Sequence, residues 1–361
     1  SGTNTFKGSA YVYHKNENLG GDSIDGQQIS GARAKDRNTI YGVTLGGPII
    51  KNKLFFFVNY EYEKTPTVAN RWRASEDGVM DADNYVSRAT VEDLQKVSDF
   101  VKQKYGYNTG SFTNFPADES NRKILARLDW NINKDHHLAV RYNYTLDKAW
   151  NSPNGSSMDG GTRSPEYRMS KYGMSYANSM YSLDKLVHSF SFDLNSRFGD
   201  KISNQFLATY SKMDDVRGSN SDPFPFIDIR KDDGSSVLPY ISLGYELFTW
   251  NNGVHNNVFN LKDDLTYYLG DHKIIGGLSY EYQMADNAYM RNGTGYYRYR
   301  SLDDFLNGAA PEVVCMTYGY DGEKNPAARV RFHRAGIYAQ DDWSINDNFK
   351  LTYGIRFDGL F

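Results

Sequence analysis

The sequence predicts an all-β fold made of one antiparallel up-and-down sheet, and three observations lead to this prediction. Eleven segments alternate apolar and polar residues with the period of two that is typical of strands. Very short polar connections alternate with long ones along the chain. Because this alternation places the short turns at one end of the sheet and the long loops at the other, we expect consecutive strands to be neighbours.

Composition excludes several classes of protein. The 361-residue chain has a net charge of -3 and no basic stripe, which disfavours a nucleic-acid partner. Its mean hydropathy is -0.66, and no segment approaches the ~20 consecutive apolar residues of a membrane helix. Aromatic residues nevertheless make up 15% of the chain, with 29 Tyr and 20 Phe. We therefore expect these rings to occupy a defined surface of the sheet.

The strands follow one another as hairpins. Segments 5–14 and 39–47 open the series, and five turns then join strands in pairs: PIIKN, NKDH, RFGD, LGD and INDN. Each turn carries Pro, Gly, Asn or Asp, which adopt or cap turn conformations at low cost. The long polar segments span 15–38, 64–120, 148–184, 214–254 and 286–329. Compact globular domains rarely repeat loops of this length.

Two loops are predicted to contain short helices. TVEDLQKVSDFVKQKYG offers Thr90 as N-cap and Gly106 as stop, and SLDDFLNG offers Ser301 and Gly308 in the same roles. The first helix has an apolar stripe formed by Val91, Leu94, Val97 and Val101. This stripe could bind a partner or pack against its own loop, and the second alternative is favoured because amphipathic loop helices normally bury their apolar side.

The two faces of the strands differ in chemistry. In KILARLDWNI, Ile124, Ala126, Leu128 and Trp130 alternate with Lys123, Leu125, Arg127 and Asp129. A soluble sandwich would show the same alternation. The strands of about 9 to 13 residues, however, exceed the ~5 to 6 of globular proteins and match the length of a tilted membrane strand. Long loops at one rim and tight turns at the other are typical of outer-membrane barrels. The sequence therefore predicts a transmembrane β-barrel segment.

Aromatic residues next to the short turns are expected to form one interfacial girdle of this barrel. They are Phe55, Phe56, Trp130, Tyr267, Trp343 and Phe349. Phe57, in contrast, is expected to face inward beside polar Asn59, and the same alternation turns the Phe55 ring inward. Two residues depart from the pattern. Asp263 lies on an apolar face, which either a β-bulge or a contact near the rim would explain. Leu207 lies on a polar face. Strands 1, 2 and 10 alternate poorly, so the sequence does not determine which of their side chains face inward and which face outward. An odd number of strands indicates part of a barrel.

Four ordered motifs carry a family resemblance. SGTNTFKGSAYVY, GVTLGGPIIKNKLFFFVNYEYEK, NRKILARLDWNINKDHHLAVRYNYT and GIYAQDDWSINDNFKLTYGIRFD resemble TonB-dependent outer-membrane receptors. More narrowly, they are similar to the Oar-like branch, in which an SGTN-F-G motif opens the barrel after the plug and a GGP-I-K-LFFF-YE motif forms an early hairpin. The resemblance spans most strands, whereas the loops show no useful similarity.

The resemblance implies a barrel of 22 strands closed around an N-terminal plug in the outer membrane of a Gram-negative bacterium. Residues 1–361 are then expected to form the N-terminal half of the barrel, about 11 strands, without the plug, the TonB-contacting box and the second half. The implied partners are the TonB energy-coupling complex, outer-membrane lipid and an unknown ligand. A surface lipoprotein partner is left open.

Catalytic and metal signatures are not found in the sequence. No P-loop, HExxH, GxSxG or CxxC motif occurs, so we expect no enzyme activity, no cofactor and no metal site. The single cysteine, Cys315, is expected to be a small apolar residue. Acidic loop runs lack the spacing of an EF-hand, although weak calcium binding is left open.

Two groups of residues are candidates for contacts with a plug or a ligand. Lumen-facing positions carry polar or charged side chains: Asn59, Glu61, Arg127, Asp129, Arg141, Asn143, Asp193 and Arg356. The loop stretch RNGTGYYRYR combines aromatic faces with guanidinium groups, which suits flat or anionic ligands: Tyr296, Tyr297, Arg298, Tyr299 and Arg300. Packing of that loop on itself is the alternative.

The leading functional hypothesis is a TonB-dependent receptor that takes up a scarce ligand by energy-coupled transport through a plugged barrel. The alternative is a surface-exposed β-protein that acts as an adhesin or structural protein without transport. An outer-membrane enzyme would need a catalytic constellation at the rim, and the sequence shows none.

Overall fold

The computed structural model describes residues 3–21, 23–28, 37–155, 168–234 and 237–361. Its largest element is a sheet of eleven strands, each antiparallel to its neighbours and paired in the order of the sequence. The strands are β1 (Lys7–Lys15), β2 (Asn38–Ile50), β3 (Leu54–Thr65), β4 (Glu119–Asn131), β5 (His136–Asn151), β6 (Tyr181–Phe198), β7 (Ile202–Ser219), β8 (Gly253–Leu269), β9 (His272–Ala288), β10 (Ala327–Asn346) and β11 (Phe349–Leu360). The predicted antiparallel up-and-down topology is confirmed.

The strands are longer than the sequence pattern predicts. They range from 9 residues in β1 to 20 in β10, against the expected 9 to 13. Pairing continues past the apolar zone towards the long loops, where ion pairs join neighbouring strands. Lys148 and Asp184 lie 3.5 Å apart, and Arg329 contacts Asp286 at 2.5 Å. The amphipathic pattern therefore marks only the part of each strand where the two faces meet different surroundings.

The register assigns each side chain to a face, because directly paired residues of antiparallel strands point to the same side. Phe57 pairs with Arg127, and Arg127 pairs with Arg141. We call the side that carries these arginines the polar face and the opposite side the apolar face. Phe57 thus lies on the polar face, as predicted. Phe55 pairs with Asp129 on that face, so its inward placement is confirmed, and its assignment to the outward girdle is wrong.

The other five predicted girdle residues lie on the apolar face at the end with the short turns. Trp130 pairs with Leu54, Trp343 with Leu351, and Tyr267 with Ile274. Phe56 pairs with Leu128, and Phe349 follows the same alternation on β11 as Leu351.

The apolar face of the large sheet is exposed, unlike the apolar face of a sheet in a soluble protein. Leu128 is 43% exposed and Ile337 is 58% exposed. The polar face is mixed, since 18% of the side chain of Asp129 is exposed and 42% of that of Arg356. A sheet with an exposed apolar face and a charged opposite face is stable where lipid covers the first and polar groups occupy the second.

The strands whose facing was left open also follow this division. Tyr11 on β1 pairs with Gly42 on β2, which in turn pairs with Glu61, so these three positions share the polar face. On β10, Tyr338 pairs with Arg356 and lies on the polar face, whereas Ile337 lies on the apolar one.

The two departures from alternation have different outcomes. The register around Asp263 runs without a shift, so a bulge at this residue is wrong. Asp263 stays on the apolar face, where the side-chain amide of Asn204 donates a hydrogen bond to its Oδ1 at 2.8 Å. Asn204 lies next to the turn that precedes β7, which agrees with the alternative of a contact near the rim. Leu207 pairs with Asp193 and Lys262 on the polar face, as predicted.

The long loops fold together into a second sheet, which the sequence analysis did not predict. Five short strands from three loops pair in the order Met174–Ser175, Val237–Leu243, Phe226–Asp232, Tyr296–Tyr299 and Val313–Cys315. Parallel and antiparallel pairings both occur. We call this assembly the loop sheet.

Shorter elements complete the described loops. They are the strand pairs Ser23–Ile24 with Gln27–Gln28 and Arg73–Ser75 with Val86–Thr90, and the 3-10 turns Glu17–Leu19, Ala177–Ser179 and Tyr320–Gly322. No described helix is both long enough and apolar enough to cross a membrane.

Both predicted loop helices are present, as α1 (Val91–Tyr105) and α2 (Leu302–Leu306). Thr90 caps α1 by accepting a hydrogen bond from the backbone N–H of Asp93, and Gly106 ends it with φ 69°. The apolar stripe of α1 packs in one core with residues of the loop sheet: Leu94, Val97, Val101, Ile229 and Tyr240. The helix is therefore a structural part of the loop assembly, and its stripe is not a free binding face.

A buried ion pair lies at the centre of the loop sheet. Arg168 and Asp228 are both 0% exposed, and the guanidinium donates to the two carboxylate oxygens at 3.0 and 2.8 Å. Asp228 also accepts hydrogen bonds from the hydroxyls of Ser242 at 2.6 Å and Tyr296 at 2.8 Å. Three residues from three different loops thus donate to this one carboxylate, which fixes how these loops associate.

The charge state of Asp228 follows from these contacts. Burial alone would raise the pKa of this carboxyl, but the Arg168 charge and the hydrogen bonds more than offset it. Its pKa consequently lies below the ordinary value of 3.8. The ion pair therefore stays intact throughout the neutral range.

Substitution of Asp228 tests the role of this network. Asp228→Asn leaves the Arg168 charge buried without its partner, and breaking such a pair costs about 3–5 kcal/mol. Hydrogen exchange in Phe226–Asp232 and Val237–Leu243 should accelerate, whereas Asp303→Asn, an exposed carboxylate in the first turn of α2, should leave it unchanged. Equal exchange in both variants would contradict a stabilising role for the pair.

A pH dependence with a defined sign should accompany the pair. Because the pKa of Asp228 is lowered on folding, its contribution to stability is fully present above about pH 4 and is lost as the pH falls further. Pepsin digestion between pH 5 and pH 2 should show the wild-type loop sheet opening only at the acid end. The Asp228→Asn variant should be cleaved across the whole range, and a wild type already cleaved at pH 5 would refute the assignment.

Candidate functional site

All eight predicted lumen-facing residues share the polar face of the large sheet. Asn59 pairs with Leu125 and through it with Asn143, and Arg127 pairs with Arg141. The complete set is Asn59, Glu61, Arg127, Asp129, Arg141, Asn143, Asp193 and Arg356. The structure thus brings these residues to one continuous wall.

The wall has a charged zone at the end with the short turns. Arg127 donates to both oxygens of Asp129, at 2.8 Å from Nε and 2.6 Å from the terminal nitrogen. Both side chains line two adjoining cavities of about 520 and 400 Å³. A third cavity of about 540 Å³ shares His137 and Asn195 with the second. Together these cavities form a trough along the polar face. Any group that fills the trough must pair with both the positive and the negative side chains that line it.

A tyrosine packed over a glycine supports one end of this zone. The Tyr11 ring lies across Gly42, where an added Cβ would be 1.9 Å from the ring. This close approach lets the Tyr11 hydroxyl donate to Glu61 at 2.9 Å, while Lys123 donates to the other oxygen of Glu61 at 2.9 Å. Tyr11 was not identified from the sequence, and Lys123 was placed on the polar face but not among the site residues. A tyrosine opposite a glycine on the neighbouring strand is nevertheless a recognisable signal.

The same arrangement recurs on β9 and β10. Tyr338 lies across Gly277, at 2.1 Å from an added Cβ, and its hydroxyl donates to Asp264. Arg356 stacks 5.0 Å from the Tyr338 ring and donates to both oxygens of Asp358 at 2.7 Å. The sequence missed Tyr338 because the facing of strand 10 was ambiguous.

Above the charged zone, the wall on β6 to β8 carries a band of uncharged polar side chains. Ser189 and Ser211 are hydrogen bonded at 3.1 Å, and Asn260 donates to Thr209 at 3.5 Å. Asp193, nearer the turns, accepts from the amides of Asn195 at 2.9 Å and Gln205 at 3.1 Å. Closer to the loops, Lys185 pairs with both Asp147 and Asp215, so the polar face is charged again there. The polar face therefore has a charged lower zone and a hydroxyl- and amide-rich middle zone, with a further charged row at the loop end.

The five candidate residues of the loop stretch lie on or beside the loop sheet. Tyr296 is 1% exposed and donates to Asp228, and burial beside that carboxylate raises the pKa of Tyr296 far above its ordinary value. Arg298 is 6% exposed and donates to Glu312 at 2.8 Å. Tyr297 and Tyr299 pack against the loop core, and only Arg300 is exposed. Loop packing accounts for most of this stretch, and ligand contact through it stays a prediction.

A different part of the same loop forms an open groove of about 820 Å³. Trp250 and Met290 line it together with Tyr318 and Tyr320, which are 82% and 91% exposed. Large exposed aromatic side chains that gather around a groove are typical of binding surfaces. The Gly-rich stretch TYGYDG is the sequence signal for this surface, and the sequence analysis did not use it.

The described parts of the chain contain no group of three or more His, Cys, Asp or Glu side chains arranged to hold a metal ion. Cys315 is partly buried and packs against the smaller apolar cluster of the loop sheet.

Comparison with known proteins adds independent evidence. The TonB-dependent transporter Oar of Myxococcus xanthus is 24% identical over 414 residues, which cover 99% of this chain and 37% of the relative. The chain thus spans less than two fifths of the curated relative that it resembles. The resemblance to TonB-dependent receptors of the Oar-like branch is confirmed.

Solved structures show the same fold. The outer membrane transporter YddB from Escherichia coli superposes with a TM-score of 0.58 at 11% identity, covering 99% of this chain and 39% of that one. The ferric enterobactin receptor PfeA gives a TM-score of 0.50 at 12% identity, covering 100% of this chain and 40% of that one. The family model described as outer membrane beta barrel domain matches residues 1–74 and 82–361. This chain, a protein of the Gram-negative outer membrane, therefore belongs to the outer membrane beta barrel domain family.

Proposed function

We propose that this chain is the N-terminal half of the barrel of a TonB-dependent receptor that takes up a scarce ligand by energy-coupled transport. The observation that carries the proposal is the polar wall, with its charged trough, opposite a lipid-facing surface. A charged trough of this size has no role in a barrel filled by its own apolar side chains. It suits a barrel whose interior holds a separate polar domain and admits a solute.

The extent of the barrel is part of the proposal. The backbone groups along the outer edges of β1 and β11 have no strand partner among the described residues. Unpaired strand edges are not tolerated within lipid. We infer that further strands of the same polypeptide close the barrel, and that an N-terminal plug fills it. Similarity to a curated transporter that is much longer than this chain supports this inference.

The two zones suggest how transport proceeds. Arg127, Asp129 and Arg356 in the lower zone would hold the plug by ion pairs and hydrogen bonds. The aromatic groove around Trp250 and Tyr318 would make the first contact with the ligand. Energy delivered by the TonB complex would rearrange the plug, and the neutral middle zone would let the ligand pass without strong binding. The proposal assigns no catalytic step and no cofactor to the chain.

A surface protein without transport is the second candidate. The observation in its favour is the loop sheet, since a rigid outer assembly with exposed aromatic residues also suits adhesion. The two candidates differ in energy dependence, because adhesion needs neither the TonB complex nor a proton gradient.

Ligand uptake should require both the receptor and energy coupling. Spent medium from cells with and without the full-length gene can be compared by mass spectrometry, in strains with functional or deleted TonB. At least one solute should be depleted only where receptor and TonB are both present, and a protonophore should stop its depletion. Cell attachment that depends on the gene, with no solute depleted, would support the adhesin instead.

Cysteine labelling should distinguish the two faces and detect the plug. In a Cys315→Ser background, Arg141→Cys places a thiol on the polar face and Tyr142→Cys places one on the adjacent apolar position. A water-soluble thiol reagent should label the first variant faster once the plug is deleted, whereas the second should react only with a lipid-soluble maleimide. An unchanged labelling rate at position 141 after plug deletion would show that the trough does not hold the plug.

A further inference from the structure

Three basic side chains gather on the apolar face where it meets the loop-bearing end of the sheet. Lys64 on β3, Ser120 on β4 and Lys148 on β5 are directly paired across the strands. Arg122 follows two residues after Ser120 and so lies on the same face. Lys64, Arg122 and Lys148 thus surround Ser120, and we call them the cation triad.

The triad lies at the upper border of the lipid-facing zone. Lys64 is ten residues beyond Leu54 on β3, and Lys148 is ten residues beyond Leu138 on β5. With a rise of about 3.3 Å per residue and a strand tilt of about 40°, this distance corresponds to roughly 25 Å along the membrane normal. An outer-membrane barrel has an apolar band of about this height. The triad therefore meets the headgroups of the leaflet on the long-loop side, which is the outer leaflet.

The triad has more positive charge than its neighbours neutralise. Lys64 lies 2.7 Å from Asp118, and Lys148 lies 3.5 Å from Asp184. Arg122 contacts the ring of Tyr62 at 5.7 Å and has no carboxylate within 4.0 Å in the described part of the chain. Three cations thus face two carboxylates. An exposed arginine held over an aromatic ring is positioned to bind a further anion.

A shallow slot runs below Arg122 along β4. Its floor is made of Ile124 and Ala126, the next two residues of β4 on the apolar face. Larger side chains stand on both sides: Val58 and Tyr60 on β3, and Tyr142 and Tyr144 on β5. Tyr60 is 43% exposed and Ile124 is 37% exposed, so the slot is open to lipid. Its width, one strand between two tyrosine-bearing strands, suits a single acyl chain.

Other strands lack this combination at the same level. Lys212 on β7 is 3.6 Å from Asp214, and Arg329 on β10 donates to both oxygens of Asp286. Arg331 on β10 is also exposed on the apolar face, but Met284, its partner on β9, and Asn257 on β8 bring no charge. The triad is therefore the place on the described lipid-facing surface where cations from three adjacent strands lie above a slot.

We propose that the cation triad and the slot below it form a binding site for a phosphorylated glycolipid of the outer leaflet. The phosphate would accept hydrogen bonds from Arg122 and contact the two lysines, and one acyl chain would lie on Ile124 and Ala126. Basic clusters at a membrane surface attract anionic headgroups. Tyrosines at the interface contribute a ring face and a hydroxyl at the level where the sugar lies.

Native mass spectrometry of the detergent-purified full-length protein tests this proposal. The probes are diphosphorylated lipid A, its dephosphorylated form and phosphatidylglycerol. The site variant is Arg122→Gln with Lys148→Gln, and the matched control is Lys212→Gln with Arg329→Gln, which removes the same charge at outward positions elsewhere. Heat-modifiable migration in gels confirms that each variant is folded.

Wild type and control should retain lipid A, and the site variant should lose roughly tenfold in lipid A binding because two cations near the headgroup are removed. The dephosphorylated lipid should bind wild type and site variant equally weakly. Unchanged lipid A binding in the site variant would overturn the proposal, and so would an equal loss in the control. Phosphatidylglycerol that displaces lipid A at equal concentration would overturn the assignment to a glycolipid.

Discussion

The structure depends on one constraint: each strand of the large sheet must face lipid on one side and a polar interior on the other. Successive side chains of a strand point to opposite sides, so the odd or even position of a residue along its strand decides whether its side chain meets lipid or the polar interior. A register shift by one residue would expose Arg127 to lipid and turn Leu128 inward. The cost of that exchange fixes the register far more firmly than the backbone hydrogen bonds, which any register can form. The aligned rows of the eleven strands follow from this constraint.

The loops are under a different constraint, because they lie outside the lipid and can bury apolar side chains against each other. They form a mixed sheet with its own core, held at its centre by the Arg168–Asp228 pair. A second buried carboxylate, Glu246, lies 3.6 Å from Arg217 at the upper end of β7, and Arg217 stacks 4.4 Å from the Tyr181 ring. This contact joins the loop sheet to the barrel wall. The outer loops thus form one body attached to the strand ends, which suits a surface that must hold a defined shape towards the exterior.

The sequence predicted the strands, their order and most faces, because alternation with period two reports directly on the solvent of each face. It was ambiguous where side-chain type and environment do not match. Phe55 is apolar yet lies beside Asp129, so its aromatic ring suggested the outward girdle while alternation placed it inward. Asp263 is charged yet lies on the lipid side, and only the structure shows that an amide on the neighbouring strand, and not a bulge, accommodates it. The loop sheet was not predicted because its pairings join segments that are far apart in sequence and have no shared periodicity. The Tyr and Arg residues at 296–300 indicated a ligand surface, but the same residue types also form buried hydrogen-bond networks. Only tertiary contacts distinguish a ligand surface from such a network.

Two arginines on β4 show how strongly the odd or even position along a strand determines the partners of a side chain. Arg122 and Arg127 are five residues apart and therefore point to opposite sides of the sheet. Arg127 finds a carboxylate on its own strand and forms part of a charged interior. Arg122 has an aromatic ring beside it and no carboxylate within 4.0 Å among the described residues, so it can pair with an anion from outside the polypeptide. The constraint that gives the sheet a polar interior therefore also allows a cation at the outer rim, where one that the chain leaves without a carboxylate can contact a lipid headgroup.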